Sequence, residues 1–160
     1  MKLSDFLDID LLHADISASD ARDFLQKMVV TLVRCQAISD EAEAIEKILA
    51  REKVMSTGIG GGVAIPHARC ASLNRTVLSI ALSKEGIDFK ALDGNPVHIV
   101  FLILGPQDSA ALHVKLLAQI AKLIKDRKFV EKLMICRSAD EIMRVIRQGE
   151  MKEAKENGVE

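Results

Sequence analysis

The sequence is short of net charge, of cysteine and of long apolar runs. Among its 160 residues, 22 are basic and 23 are acidic, which gives a formal net charge of −1 at pH 7. Such a balance disfavours a nucleic-acid partner, because the phosphate backbone attracts positively charged surfaces. The longest apolar run, IVFLIL at 99–104, is far too short to span a membrane. We therefore expect a soluble protein with a small-molecule or protein partner, no nucleic acid and no direct membrane insertion.

The three cysteines are an odd number: Cys35, Cys70 and Cys136. They show no CxxC spacing, and no secretory leader is recognisable before them. This pattern does not predict a disulfide framework. We expect reduced thiols in a cytoplasmic protein.

The remaining composition is that of one folded domain. Hydrophobic residues make up 49% of the chain and charged residues 28%, which excludes a disordered protein. A chain of this length buries roughly 70% of the surface that it exposes when unfolded. No linker or internal repeat divides it. We predict a single domain over residues 1–148 and a polar, frayed tail at 149–160.

Helical and strand patterns alternate along the chain. Ser19 is predicted to cap a first helix and Ser39 a second one, which ends near Arg51. The first helix carries an apolar stripe with helical spacing: Ala21, Phe24, Leu25, Met28, Val29, Leu32 and Val33. A further helix is predicted from Ser109 to about Lys125.

Two strands and a last helix complete the pattern. The runs TVLSIAL at 76–82 and VHIVFLIL at 97–104 have strand length, and the turn signal DGNP lies between them. The second run is almost continuously apolar, which indicates a central strand covered on both faces. SADE at 138–141 predicts a capping box that opens a short final helix. The predicted fold class is α/β, a mixed sheet flanked by helices.

The segment STGIGGGVAIPHARC at 56–70 contains four glycines within five residues, followed by Pro66 and His67. It lacks the Lys-Ser/Thr of a nucleoside-triphosphate loop, and its spacing does not match the dinucleotide fingerprint GxGxxG. A glycine loop without bulky side chains lets backbone amides approach an anion closely. Beside a histidine, this arrangement suits a phosphate that the histidine itself carries.

His67 is the candidate nucleophile. A neutral imidazole is nucleophilic near pH 7, because its ordinary pKa is about 6.5. Phosphoryl transfer to it requires donors or positive charge around the three equatorial oxygens. Arg51 and His113 are the candidate suppliers, and the apolar stripe around His113 points it toward the sheet.

These residues resemble a known family. The stretches REKVMSTGIGGGVAIPHAR, GIDFKALDGNPVHIVFLI and LHVKLLAQIAKLI are similar to the enzyme IIA component of the bacterial phosphotransferase system, in its fructose, mannitol and nitrogen-regulatory class. The similarity covers about residues 3–147. Its most specific part is the signature TGIG-x-G-x-A-I-P-H, which here runs from Thr57 to His67.

The resemblance implies a phosphotransferase with a mixed sheet of about five strands and no cofactor or metal. His67 would accept a phosphoryl group from the phosphohistidine of the histidine phosphocarrier protein, and would pass it to a IIB component or hold it as a signal. His113 and Arg51 match the family's second histidine and its arginine. The phosphate loop would comprise Thr57, Gly58, Gly60 and Gly62. Gly61 departs from the family's usual polar residue, so a looser loop is expected.

Each assignment has a plainer alternative. His67 can be a surface histidine after a turn, His113 a core histidine on an apolar stripe, and Arg51 a charge that favours the end of a helix dipole. We assign no role to His13 or His98.

Three other functions stay open on residue types alone. His67 and Cys70 have HxxC spacing, which offers two metal ligands, whereas a closed zinc site usually takes four. Cys70 can alternatively be a nucleophile with His67 as its base. An interaction protein without chemistry is the third possibility. Within the resemblance, a free-standing nitrogen-regulatory IIA is favoured over a sugar-specific IIA, because the chain shows one domain and no membrane segment.

Overall fold

The computed structural model describes residues 1–158 of the chain. Its helices are α1 (Ala21–Arg34), α2 (Glu41–Val54), α3 (Ala110–Ile124), α4 (Arg127–Met134) and α5 (Ala139–Glu156), and its strands are β1 (Leu12–His13), β2 (Gly58–Gly60), β3 (Val63–Ala64), β4 (His67–Arg69), β5 (Val77–Ile87) and β6 (Val97–Gly105). Two short 3₁₀ turns, Leu3–Phe6 and Ile9–Leu11, precede β1. Among residues 1–158, none of the helices combines the length and the apolarity needed to cross a bilayer.

The six strands form one mixed sheet in the order β1-β5-β6-β3-β2, and β4 also pairs with β6. The β5 and β6 strands are antiparallel, whereas β3 and β4 both run parallel to β6. The predicted mixed sheet flanked by helices is therefore confirmed, with one strand more than expected. The number of strands is higher because β1, β2, β3 and β4 are short strands of two or three residues each.

The long strand β6 is the centre of the fold, as its apolar sequence predicts. Alternate side chains enter two separate cores, because successive residues of a strand point to opposite faces. Val100, Leu102 and Leu104 pack in the core beneath α1 and α2. Ile99, Phe101 and Ile103 pack in the core beneath α3, α4 and α5. Any site on this sheet therefore faces one helical layer or the other.

The caps of the first two helices lie one residue later than predicted. The Asp20 carboxylate accepts a hydrogen bond from the Asp23 amide (2.8 Å), so Asp20, and not Ser19, caps α1. Asp40 replaces Ser39 in the same way, through the Glu43 amide (3.0 Å). A carboxylate is favoured over a hydroxyl at this position by the positive end of the helix dipole.

The final helix is longer than predicted. Ser138 caps it by accepting from the Glu141 amide (3.1 Å), but α5 then continues to Glu156 instead of fraying after residue 148. Gly149 lets it approach α4 closely, since a Cβ there would lie 2.8 Å from the Phe129 ring. The Lys152 ammonium also contacts the Asp126 carboxylate at 2.8 Å. The last two residues of the predicted tail, 159 and 160, lie outside the described residues.

Candidate functional site

The strand β4 carries His67 at the margin of the sheet. It runs parallel to β6, with His67 opposite Ile103 and Arg69 opposite Gly105. Ala68, between them, packs in the core beneath α1 and α2. Strand alternation therefore directs His67 and Arg69 to the other face, on the side of α3.

The tautomer of His67 follows from one hydrogen bond. Its Nδ1 lies 2.8 Å from the carbonyl oxygen of Ile65, and a carbonyl can only accept, so Nδ1 carries a proton and donates it. In the neutral ring the lone pair must then be on Nε2. The half-buried imidazole is thus held in the form that presents Nε2 as a nucleophile.

His113 lies beside His67, on the first turn of α3. The two ring centroids are 6.4 Å apart and the planes meet at 82°. The His113 side chain is buried, with 5% of its surface exposed, and its Nε2 has no hydrogen-bond partner within residues 1–158. A buried nitrogen without a partner costs on the order of 1–3 kcal/mol. This cost is more typical of a functional group than of a satisfied core histidine.

Burial and nearby charge keep His113 neutral. Desolvation lowers the pKa of His113 first, and electrostatic interaction with His67 and Arg69 lowers it further. A neutral imidazole has one N–H donor and one acceptor nitrogen. His113 is therefore suited to donate to an oxygen of a phosphoryl group on its neighbour without carrying a full charge.

Gly105 provides the space for His113 and is a site residue that the sequence analysis missed. A Cβ at this position would lie 2.6 Å from His113 Nε2, 2.6 Å from Ser109 Oγ and 2.9 Å from Thr76 Oγ1. All three distances are shorter than a carbon can tolerate. A glycine at the end of an apolar strand gives no sign of this, because the contact depends on how α3 returns over β6.

The hydrogen bond that the Arg51 guanidinium makes does not place it beside the two histidines. Its Nη1 donates to the carbonyl oxygen of Met55 (2.9 Å), in the last turn of α2. The core residue Ile48 shows that α2 packs on the face opposite α3. This arrangement is that of a basic group at a helix C-terminus. The role of Arg51 at the phosphate stays a prediction.

Gly62, the last residue of the predicted phosphate loop, lies well away from His67 along β6, whereas the Thr57 carbonyl accepts from the Ile65 amide (3.0 Å), two residues before His67. The carbonyl of Gly62 accepts from the amides of His98 and Ile99, whereas His67 is paired with Ile103. Four residues of strand separate these points, which is about 13 Å. The tip of the glycine segment is therefore a turn at the far end of the strand, and only its beginning, at Thr57 and Gly58, pairs with the residues that lead to His67.

The groups of this segment also have other partners. The Gly58 amide donates to Ser56 Oγ (3.0 Å), and Thr57 bonds to the Glu52 carboxylate through both its amide and its hydroxyl. Gly60 and Gly62 have φ values of +96° and +83°, which glycine adopts without strain. The geometry thus supports a turn at these residues, and their role at a phosphate stays a prediction without contacts to support it.

Two hydrogen bonds hold Gly61 in the turn. Its amide donates to the Asp93 carboxylate (3.0 Å), and its carbonyl accepts from Arg127 Nη1 (3.2 Å). Hydrogen bonds therefore hold both of the peptide groups that flank Gly61. A looser loop, as expected from the missing side chain, stays a prediction.

The HxxC spacing does not create a joint site for His67 and Cys70. The Cys70 thiol is buried in the core beneath α1 and α2, on the face opposite His113. Burial raises its pKa to about 11, so almost no nucleophilic thiolate exists near neutral pH. The thiol-enzyme and metal-ligand alternatives have no geometric support here.

We expect stability to fall as the pH decreases below about 6.5, because the buried His113 and the half-buried His13 resist protonation. Burial lowers the pKa of His13 and of His113, whereas in the unfolded chain both have the ordinary value near 6.5. Below pH 6.5 the unfolded state then binds more protons than the folded state. Each histidine lowers the free energy of unfolding by at most about 1.4 kcal/mol per pH unit, until the pH reaches the pKa of that histidine in the folded protein. Urea unfolding at about pH 7.5 and 5.5 measures this loss. The loss should shrink in His13→Gln and His113→Gln, and an unchanged loss in the double variant would contradict it.

The comparisons with known proteins agree on one family. The family model "Phosphoenolpyruvate-dependent sugar phosphotransferase system, EIIA 2" matches residues 5–149. A nitrogen regulatory protein of Bradyrhizobium diazoefficiens is 32% identical over 146 residues, which cover 91% of this chain and 95% of that protein. The fructose-specific EIIABC component of Bacillus subtilis is 32% identical over 148 residues, and this chain spans 23% of its length.

Solved structures with the same fold include a regulatory and a sugar-specific protein. The nitrogen regulatory protein IIA-Ntr from Neisseria meningitidis superposes with a TM-score of 0.83 at 29% identity, covering 90% of this chain and 98% of that one. The mannitol IIA of Escherichia coli gives a TM-score of 0.76 at 19% identity, covering 88% and 98%. The second likeness shows the fold alone.

Proposed function

The chain belongs to the EIIA 2 family of the phosphoenolpyruvate-dependent sugar phosphotransferase system, and we propose that it is a phosphocarrier whose acceptor atom is Nε2 of His67. The observation that carries this proposal is the hydrogen bond from His67 Nδ1 to the Ile65 carbonyl. It leaves the lone pair on Nε2 in the neutral ring. A nucleophile that is already in the right tautomer needs neither a general base nor a metal to attack phosphorus.

The transfer step needs no cofactor, because one N–P bond forms as another one breaks. The lone pair of His67 Nε2 forms a new N–P bond while the N–P bond of the donor phosphohistidine breaks and leaves its electron pair on the donor imidazole. The donor is the histidine phosphocarrier protein. His113 would donate an N–H to an equatorial oxygen, where charge spreads in the transition state. Its burial makes such a hydrogen bond stronger than one exposed to water.

We propose the nitrogen-regulatory type as the role of the chain. The TM-score of 0.83 with the IIA-Ntr structure supports this type, as does the relative that the chain covers almost completely. The output would then be the phosphorylation-dependent binding of a target protein, because a phosphate adds about two negative charges at His67.

A sugar-specific IIA is the second candidate. A fructose-specific EIIA component of Haloferax volcanii is 30% identical over 138 residues, which cover 86% of this chain and 88% of that protein. In this case the phosphoryl group would pass to a IIB component of a sugar transporter. Efficient transfer to a fructose- or mannitol-type IIB, measured side by side with an established sugar IIA, would favour this candidate.

We expect one phosphoryl group on His67, attached at Nε2, after incubation with phosphoenolpyruvate, enzyme I and the histidine phosphocarrier protein. Peptide mass spectrometry at alkaline pH locates the residue, since phosphohistidine is labile to acid. The ³¹P chemical shift distinguishes the Nε2 from the Nδ1 isomer. The Nδ1 isomer would contradict the tautomer argument. No phosphate, with a donor system that phosphorylates another IIA protein, would contradict the phosphocarrier function.

A further inference from the structure

The guanidinium of Arg69 lies on the same face of the sheet as the two histidines. Arg69 follows His67 by two residues on β4, and side chains two residues apart in a strand share a face about 7 Å apart. Its strand partner is Gly105, which has no side chain between the arginine and the His113 ring. Gly105 therefore does not block the space between Arg69 and His113.

The Arg69 side chain also reaches the loop that leads into α3. Its Nη1 donates to the carbonyl oxygen of Gln107 at 3.3 Å, which places the guanidinium between β4 and the start of the helix that carries His113. This bond uses one of the five N–H donors of the group. The side chain is exposed, so other donors are available to an incoming anion.

Arg51 has the opposite placement. Its helix covers the other face of the sheet, and its Nη1 is bonded to Met55 within the same helix end. This bond also uses one of five N–H donors, and α2 contacts β4, so Arg51 is compared with Arg69 in the test below. Arg69 needs a rotation of its side chain alone, because its backbone is already on the correct face.

From these placements we propose that Arg69 is a phosphate-binding residue, which holds the phosphoryl group on His67 together with His113. The proposal rests on His67 as the phosphorylated residue. The planar guanidinium fork would contact two equatorial oxygens of the phosphoryl group, a geometry that a lysine cannot reproduce. Arg69 exchanges no proton in this step and stabilises the charge that spreads over the oxygens.

The test uses chemical phosphorylation, so that it does not depend on a protein donor. Phosphoramidate transfers its phosphoryl group to histidine, and ³¹P NMR follows formation and hydrolysis of the phosphohistidine on the intact protein. We expect Arg69→Gln to slow phosphorylation of His67 by about 10- to 100-fold, the effect of one charge-assisted donor lost. Arg69→Lys should recover part of the rate. Arg34→Gln, on α1 and the opposite face, is the matched control and should leave the rate unchanged.

A second readout excludes a general structural effect. In the unphosphorylated protein, ¹H–¹⁵N NMR titration should show a higher pKa of His113 in Arg69→Gln, because a nearby positive charge has been removed. A normal phosphorylation rate in Arg69→Gln, with a loss in Arg51→Gln, would overturn the proposal. A loss in both variants would support it, with Arg51 as a further contributor. Failure of the wild-type protein to accept phosphate at His67 from either source would instead overturn the proposed function itself.

Discussion

Replacing His67 with alanine is expected to abolish phosphoryl acceptance completely. The side chain supplies the nucleophilic Nε2 atom, and a missing nucleophile cannot be compensated by its surroundings. The fold should survive, because the imidazole is half-buried and its one hydrogen bond, to the Ile65 carbonyl, lies at the margin of the sheet. Intact-protein mass spectrometry after incubation with the donor system measures the result, and circular dichroism confirms that the variant is folded.

His98 offers a matched control for this variant. It is also half-buried, and its Nδ1 lies 2.8 Å from a backbone carbonyl, that of Ser83. It therefore presents Nε2 in the same tautomer but without His113 beside it. His98→Ala should accept phosphate as well as the wild-type protein does. Phosphate that persists in His67→Ala, or that disappears in His98→Ala, would show that the acceptor histidine is misassigned.

The long apolar elements of the fold could be predicted because their patterns extend over many residues. The run at 97–104 is confirmed as the central strand β6, and the stripe over Ala21–Val33 is confirmed as α1. In contrast, β2, β3 and β4 contain two or three residues each, too few for any periodicity to develop. The eight-residue helix α4 was missed because its apolar face is short and lies between two other helices.

Only part of the candidate site could be inferred from the sequence. His113 is a candidate partner of His67 by residue type and by the family resemblance, although they are 46 positions apart in the sequence and no local pattern joins them. Arg51 is the arginine that the sequence analysis predicts, first as a candidate supplier of positive charge and then from the resemblance, and that prediction gives Arg69 no role. The face on which Arg69 lies depends on the strand alternation of β4, which becomes known once its pairing with β6 is seen.

The glycines show the same limit of sequence reasoning. The cluster from Gly58 to Gly62 attracts attention, yet the tip of its turn, at Gly62, lies about 13 Å from His67 along the strand. The isolated Gly105 attracts none, although three polar side chains surround the position of its missing Cβ. A local cluster of glycines in the sequence indicates a turn, whereas close packing between distant elements leaves no local signal in the sequence.

Gly105→Ala is expected to displace the His113 imidazole and to slow phosphoryl transfer to His67. The added methyl group would lie 2.6 Å from His113 Nε2 and 2.6 Å from Ser109 Oγ, so at least one of them must move. Overpacking of this kind costs about 1–3 kcal/mol of folding free energy. A displacement of about 1 Å in a group that stabilises the transition state reduces a rate by up to roughly 100-fold. Urea unfolding and the rate of phosphorylation by the histidine phosphocarrier protein measure the two effects.

Gly149→Ala separates the two effects, because it overpacks a contact remote from the site. A Cβ at Gly149 would lie 2.8 Å from the Phe129 ring, in the contact between α4 and α5, and the residue has no part in the proposed chemistry. We expect a comparable loss of stability in this variant with an unchanged rate of phosphorylation. Equal rates in both variants would mean that the position of His113 does not matter for transfer. A slow Gly105→Ala beside a normal Gly149→Ala would instead show that the groups packed around Gly105, His113 among them, must keep their positions for transfer, because stability loss alone would affect both variants equally.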